Sequence, residues 1–296
     1  MKHRNKIEYG DEGFYVMRLQ LMLNTILGKY IAQDGKFGPM TADLVHQFQR
    51  TNGLKTNLRL MYGDLQMISR IARERFLVAL DAGHGGYDKI AQKYTSAPSK
   101  MMFHEGMEFH DGGWFYEGVE NRIIADEVYE RLKQEGVNVV KTYDDVEDTS
   151  LTARTNLISS YVQKGYFGLM ASVHSNAISL DYSKQKLEDT QGFCVYTSKG
   201  STMSDEVAEK HFDLTEEMFP EWRMRFDIVD GDHDYEADFH MLLLVEKLHG
   251  RFVAFLQEFG FHTSSVDTNF IISQREKRIQ ILTETILWYR DKILTW

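Results

Sequence analysis

Apolar residues return at steps of three and four through the first quarter of the chain and gather into short continuous runs after it. That switch predicts two architectures in series. Val16, Leu19, Leu23 and Ile26 share one helical face; Leu44, Val45 and Phe48 form a second; Leu65, Ile68 and Ile71 form a third. Between the first two lies Asp34-Gly35-Lys36-Phe37-Gly38-Pro39, where glycine and proline mark a tight turn and Thr41 stands ready to cap or open the next helix. Residues 1–72 are expected to fold as a small all-α three-helix domain.

From Phe76 the texture changes. Apolar runs at 76–80, 137–142, 168–174, 192–197 and 252–259 predict strands. Helical spacing covers 121–135, with Ile123, Ile124, Val128 and Leu132 inward and Gly136 as the stop. Further helices are expected at 150–163 and 274–289. Strands alternating with helices imply crossover connections, so residues 73–296 are expected to form an α/β domain with a mostly parallel sheet flanked by helices. Such sheets gather functional groups at the carboxyl ends of their strands. Residues 91–114 carry Met, His and Gly without a clear period, and the polar stretch 178–190 reads as a loop.

Four side chains stand out against this frame. His84 follows the first strand in a glycine-rich turn, His174 ends the third strand, Glu258 ends the fifth, and Glu117 precedes the long helix. Two imidazoles and a carboxylate are a donor set for catalytic zinc, with a fourth position left for water. A second glutamate can then carry the proton. Each residue has a plainer reading. A histidine after a strand is more often packed than ligating, a glutamate at a helix start serves the helix dipole, and an apolar setting suits a satisfied buried carboxylate. Their common position at one end of the sheet is what favours the chemical reading. Glu120 shares a helical face with Glu117 and stays open as the alternative ligand.

Composition narrows the partners. Thirty-four Lys and Arg against 44 Asp and Glu give a formal charge of −10, which disfavours nucleic acid and anionic lipid. No apolar run approaches the roughly 20 residues that span a bilayer. Cys194 is the sole cysteine, so neither an internal disulfide nor a cysteine-rich zinc cluster can form. Set in a strand, it reads as a small buried apolar residue.

The motifs around these residues carry a resemblance. Leu80-Asp81-Ala82-Gly83-His84-Gly85-Gly86, Tyr116-Glu117-Gly118-Val119-Glu120-Asn121-Arg122, Leu151-Thr152-Ala153-Arg154 with Asn156, Ser172-Val173-His174-Ser175-Asn176-Ala177 and Glu258-Phe259-Gly260-Phe261 occur in order. Over residues 77–289 the chain resembles the zinc-dependent N-acetylmuramoyl-L-alanine amidases. The resemblance implies His84, Glu117 and His174 as zinc ligands and Glu258 as the catalytic carboxylate. It prefers Glu117 to Glu120, because Asn121 then falls four positions later. It implies substrate-side roles for Arg154, Asn176 and His240. The chain departs from the pattern in the 91–114 insert and in Asn121-Arg122, where the family has Asn-Leu.

Residues 9–71 resemble a small helical peptidoglycan-binding module, in Gly10-Asp11-Glu12-Gly13, Leu19-Gln20, Leu23-Asn24, the 34–39 turn, Phe48-Gln49 and Asn52-Gly53-Leu54. Most of these residues hold the fold, so no ligand residue is named there. Together the resemblances imply a monomeric peptidoglycan hydrolase cutting between N-acetylmuramic acid and L-alanine. The first 13 residues lack the apolar core of a secretory signal. That leads to the expectation of a phage endolysin, made in the host cytoplasm and then released to the wall. The competing readings are a zinc peptidase acting on the stem peptide, a non-enzymatic wall-binding phage protein, and a bacterial remodelling amidase. His104, His110 and His233 are expected in polar loops at the cleft rim, and Trp114 in packing rather than sugar stacking.

Overall fold

The computed structural model describes residues 5–200, 202–228, 231–248 and 250–296, so the first four residues of the expected helical domain lie outside it. The N-terminal segment runs β1 (Lys6–Glu8), α1 (Phe14–Leu27), α2 (Pro39–Thr51), β2 (Arg59–Met61) and α3 (Tyr62–Arg73). The three predicted helices are present. The domain is not purely helical, however, because β1 and β2 pair antiparallel from Lys6↔Met61 to Glu8↔Arg59. Three-residue strands are too short for an alternating pattern to stand out. Pro39 opens α2, where its missing N–H is no loss.

The rest runs β3 (Phe76–Ala82), β4 (Tyr87–Asp88), β5 (Lys93–Tyr94), a 3₁₀ turn (Pro98–Lys100), β6 (Met101–Phe103), β7 (Trp114–Tyr116), α4 (Glu117–Gln134), β8 (Asn138–Lys141), α5 (Leu151–Gln163) and β9 (Phe167–Asn176). It continues through α6 (Lys184–Asp189), β10 (Phe193–Thr197), α7 (Met203–Met218), β11 (Tyr235–Glu236), α8 (His240–Glu246), β12 (Phe252–Phe261), α9 (Ser265–Ser273) and α10 (Arg275–Leu294). Among the described residues the main sheet has six strands in the order β11-β10-β12-β9-β3-β8. β3 runs parallel to both β8 and β9, and β9 parallel to β12. β10 runs antiparallel to β12 and β11 runs parallel to β10, so the expected parallel sheet carries two reversed strands at one edge.

Every residue of β3 is buried. Val78, Leu80 and Ala82 join one apolar cluster and Leu77 and Ala79 another, so the two faces of the strand feed separate layers. Helices cover both faces, which is why the strand reads as an unbroken apolar run. No helix among the described residues is long and apolar enough to cross a membrane.

Three local expectations need correction. Ile123, predicted inward, is 37% exposed, while Ile124, Ala125, Val128 and Leu132 are buried. The helix begins at Glu117 rather than at 121, so its apolar face is centred one residue later. The stretch 178–190 contains α6, capped by Ser183 accepting from the Lys186 amide; its polar composition hid one short turn of helix. The 91–114 insert is built from the β4–β5 and β6–β7 pairs, with Tyr94 stacked on Tyr116 at 3.4 Å between ring centroids.

The two segments share one core, because a single apolar cluster runs from Ile7 to Trp296. Arg18 is buried in α1 and donates to the carbonyls of Ile293 (3.0 and 2.8 Å) and Thr295 (2.7 Å) while stacking on Trp296. Arg251 reaches back to the carbonyls of Asn24 and Lys29. The insert is tied to the C-terminal helix through Glu120, which accepts from Arg278 at 2.9 Å, from Arg275, and from His110 at 3.2 Å. Burial works against the charge on Glu120 most strongly, yet His110 and the two guanidinium groups prevail and hold its carboxyl down to about 2.

Two outcomes are expected. Arg18→Ala removes the donor to the buried Ile293 carbonyl and to the Thr295 carbonyl and should cost about 2–3 kcal/mol, read by urea denaturation, and the wild-type protein should melt in one calorimetric transition. Glu120→Gln leaves buried guanidinium charge uncompensated and should cost about 3 kcal/mol at pH 7. Because the folded Glu120 carboxyl lies below its ordinary value, the stability from its charge is complete above about pH 4.5 and fades as pH falls toward 2. The gap between Glu120→Gln and wild type should therefore narrow between pH 5 and pH 2.5, and a constant gap would contradict the assignment.

Candidate functional site

β3, β9 and β12 run side by side in the same direction, and their carboxyl ends form the floor of the site. Ala82 pairs with Val173, so the turn after β3 delivers His84 beside His174. Glu258 pairs directly with His174 across β12 and β9, so the two side chains stand on the same face. The register shifts just after Glu258, where Gly260 takes a φ of 78°, and the strand bends at the rim.

Glu117 is the first residue of α4 and no part of its side chain is exposed. Its Oε1 lies 3.1 Å from His174 Nδ1 and 3.4 Å from His84 Nε2, and accepts from the Ser175 amide at 3.3 Å. Its Oε2 faces Lys100 Nζ at 3.5 Å and His262 Nδ1 at 3.9 Å. The two imidazole rings meet edge to face with centroids 5.1 Å apart. This crowding explains the glycines. A Cβ at Gly83 would collide with the His174 ring, and one at Gly118 with the Gly85 carbonyl. His84 itself adopts a φ of 65°, uncommon for a residue with a side chain and characteristic of functional turns.

The electrostatics divide the carboxylates. Burial opposes charge on Glu117, but the hydrogen bond from His174 and the nearby imidazoles of His84 and His262 outweigh it and hold the carboxyl well below its usual range. Glu258 has less help. Burial pushes it up to about 8, His174 pulls it back in part, and the Glu117 charge adds to the rise. His174 is raised, because the Glu117 hydrogen bond and the charge of Glu258 overcome a larger opposing effect of burial. A low carboxylate beside a raised one gives one permanent anion and one group able to exchange a proton near neutrality.

The donor set suits a tetrahedral cation. One ligand atom each from His84, Glu117 and His174 lies within 4.8 Å of the others. Zinc bonds near 2.0–2.1 Å imply ligand-to-ligand edges of about 3.3 Å, close to the 3.1 and 3.4 Å found here. His84 Nε2 is buried without a hydrogen-bond partner, as an atom meant for coordination would be. Glu120 is engaged with His110, Arg275 and Arg278 instead and does not reach this cluster.

Beside the triad opens a cleft of about 500 Å³, lined among others by Lys100, Leu151, Phe239, Met241 and Glu258. His240 is exposed on its lining, at the start of α8. Arg154 also lines the cleft, but it is buried and its guanidinium is taken up by Asp81 (2.7 Å), the Ala82 carbonyl (2.6 Å) and the Thr149 carbonyl (2.8 Å). Asn176 is not part of that lining; its amide contacts Cys194 Sγ at 3.7 Å. His104 and His110 are not rim residues. His104 is 5% exposed and bonds the His262 carbonyl, and His110 supports Glu120. His233 pairs with Glu209 at 2.7 Å. Arg122 holds the Asp144 carbonyl and lies outside the cleft lining.

Three residues at the site escaped the sequence reading. Asp81 sits inside the first motif, buried beneath the site, with Arg154, Ser172 and Thr142 around it. His262 follows β12 directly and accepts from or donates to Ser175 at 3.1 Å. Lys100 comes from the unassigned insert. Only the first had a signal, its place in a quoted motif.

Comparisons with known proteins place the family and the fold. The profile of the N-acetylmuramoyl-L-alanine amidase family matches residues 78–285, and that of a peptidoglycan binding domain matches residues 15–57. Among solved structures the chain is similar to an N-acetylmuramoyl-L-alanine amidase from Clostridium difficile 630, at 23% identity, covering 73% of this chain and 97% of that one with a TM-score of 0.51. It is similar to the amidase AmiC2 of Nostoc punctiforme at 22% identity, 73% and 97% coverage and a TM-score of 0.52. It is also similar to Ami1 from Mycobacterium smegmatis at 17% identity, 73% and 97% coverage and a TM-score of 0.52. At these identities the likeness is one of fold. No curated protein matches the chain. The family profile covers more than two thirds of the sequence, from β3 into α10, and the chain belongs to the N-acetylmuramoyl-L-alanine amidase family.

Proposed function

We propose that this protein hydrolyses the amide between N-acetylmuramic acid and L-alanine in peptidoglycan with the help of a zinc ion held by His84, Glu117 and His174, and that it acts as a phage endolysin. The observation that carries the reading is the convergence of two imidazoles and a fully buried carboxylate within 4.8 Å, at the edge of a cleft that also holds Glu258. Zinc bound there would polarise the scissile carbonyl and make a water acidic enough to attack. The lytic role is supported by the fusion of a peptidoglycan-binding segment and an amidase segment through one core.

The chain's own residues do the rest. Glu117 carries the permanent negative charge that offsets a cation, and His84 and His174 supply nitrogen donors. Asn121 Nδ2 donates to the Gly83 carbonyl at 3.3 Å and steadies the turn that carries His84. Asp81, locked to Arg154, fixes the end of β3 beneath it. Glu258, in its ionised form, takes a proton from the attacking water and delivers it to the L-alanine nitrogen as the carbon–nitrogen bond breaks, a delivery favoured by a carboxyl that burial raises to about 8. His240 and Phe239, on the far lip of the cleft, contact the substrate chain. Arg154 acts through Asp81 as a positioning residue.

Glu258→Gln should lower sacculus hydrolysis by at least about a hundredfold while elemental analysis still finds one zinc per chain; hydrolysis at the wild-type rate would remove Glu258 from the mechanism. A chelator should abolish release of peptides that begin with L-alanine, and added zinc should restore it. Mass spectrometry of the fragments separates this reading from a stem peptidase, which would cut within the peptide, and from a wall-binding protein, which would release nothing.

A further inference from the structure

The insert between β4 and α4 brings a cation into the cleft. Lys100 Nζ lies 3.5 Å from Glu117 Oε2, and its side chain keeps 32% of its surface exposed. Lys100 lines both the main cleft and a neighbouring depression of about 280 Å³ bordered by Ile178, Leu180 and His262. It therefore stands on the wall between the two. Its position is built. Pro98 opens the 3₁₀ turn, the Lys100 amide donates to the Ala97 carbonyl at 2.8 Å, and Met101 pairs with Tyr116, the residue before Glu117.

Neutralising Glu117 does not by itself call for a lysine on an exposed lip. Its Oε1 is already served by His174, His84 and the Ser175 amide. The ammonium approaches only Oε2, and at 3.5 Å it is loosely held on a flexible four-carbon stem. Of the other charged groups lining the cleft, Asp81 and Arg154 neutralise each other at 2.7 Å, which leaves Lys100 as the lysine of the lining with a partly exposed side chain. A carboxylate passing along this lining meets its ammonium partner at Lys100.

We propose that Lys100 is a specificity residue that binds a carboxylate of the substrate peptide, borne by the residue next to the scissile L-alanine, as the chain passes from the cleft into the adjoining depression. The proposal rests on the amidase reading above. Lys100 offers a charge-assisted hydrogen bond to a carboxylate, and a carboxamide of the same shape forfeits the charge.

Two muropeptides that differ only in this group, carboxylate or carboxamide, provide the test. The zinc-loaded wild type should favour the carboxylate about tenfold in kcat/KM, with the difference in KM. Lys100→Gln should bring the ratio close to one, and Lys100→Arg should restore much of it. Calorimetric binding of both muropeptides to Glu258→Gln, with and without Lys100→Gln, reads the same ratio without turnover. A lysine that only neutralised Glu117 would change zinc affinity, measured by chelator competition, and leave the ratio untouched. A wild type without preference, or a Lys100→Gln variant that keeps it, overturns the proposal. If neither muropeptide is cleaved, the amidase reading falls, and the binding arm still judges Lys100: equal affinity, or no binding to either, overturns it.

Discussion

Glu117 is a carboxylate with no solvent contact, surrounded by imidazoles from three strand ends and an ammonium from the insert. An ionised carboxylate withdrawn from water costs several kcal/mol unless partners replace the lost hydration. Here the partners come from the ends of β3, β9 and β12 and from the lip before β6, segments far apart in the chain. The layers must close for the charge to be tolerable, and once they close the donors are already gathered. Folding the α/β domain and assembling the site are one event. Gly83 and Gly118 belong to the same constraint, since a single extra carbon at either would push the His174 ring or the β3 turn away.

The same residue type meets opposite fates within a few ångströms. Glu117 and Glu120 sit three apart in the first turn of α4, where the helix dipole favours both. Glu120 turns to guanidinium groups of Arg275 and Arg278 and becomes a clamp between α4 and α10. Glu117 turns to imidazoles, whose nitrogens a cation can share. Glu258, without a strong cation of its own, is pushed up to about 8, chiefly by burial. Environment rather than residue identity separates the three glutamates: one clamped by guanidinium groups, one set among imidazoles and one buried without a strong cation.

The N-terminal segment is not a loose tether. Arg18 and Arg251 stitch it to the last helix and to the loop before β12, and the apolar cluster is continuous across the junction. A fixed relation between the N-terminal segment and the cleft constrains the angle from which an insoluble polymer can be approached. A flexible linker would only raise local concentration.

Apolar periodicity alone determined the three helices at the start, five strands of the sheet and the glycine-bounded turn that carries His84, because those signals are local and repeat every two to four residues. Local motifs also marked His84, Glu117, His174 and Glu258. Helical spacing alone left open which glutamate of α4 faces the imidazoles, since positions 117 and 120 share a helix face and differ in what packs above them; the motif spacing to Asn121 favoured Glu117. The reversed direction of β10, the exposure of Ile123, the engagement of Arg154 by Asp81 and the arrival of Lys100 and His262 at Glu117 were likewise decided by tertiary structure. Each depends on residues dozens of positions away, whose approach is set by strand order and helix docking, and no pattern within a single segment records it.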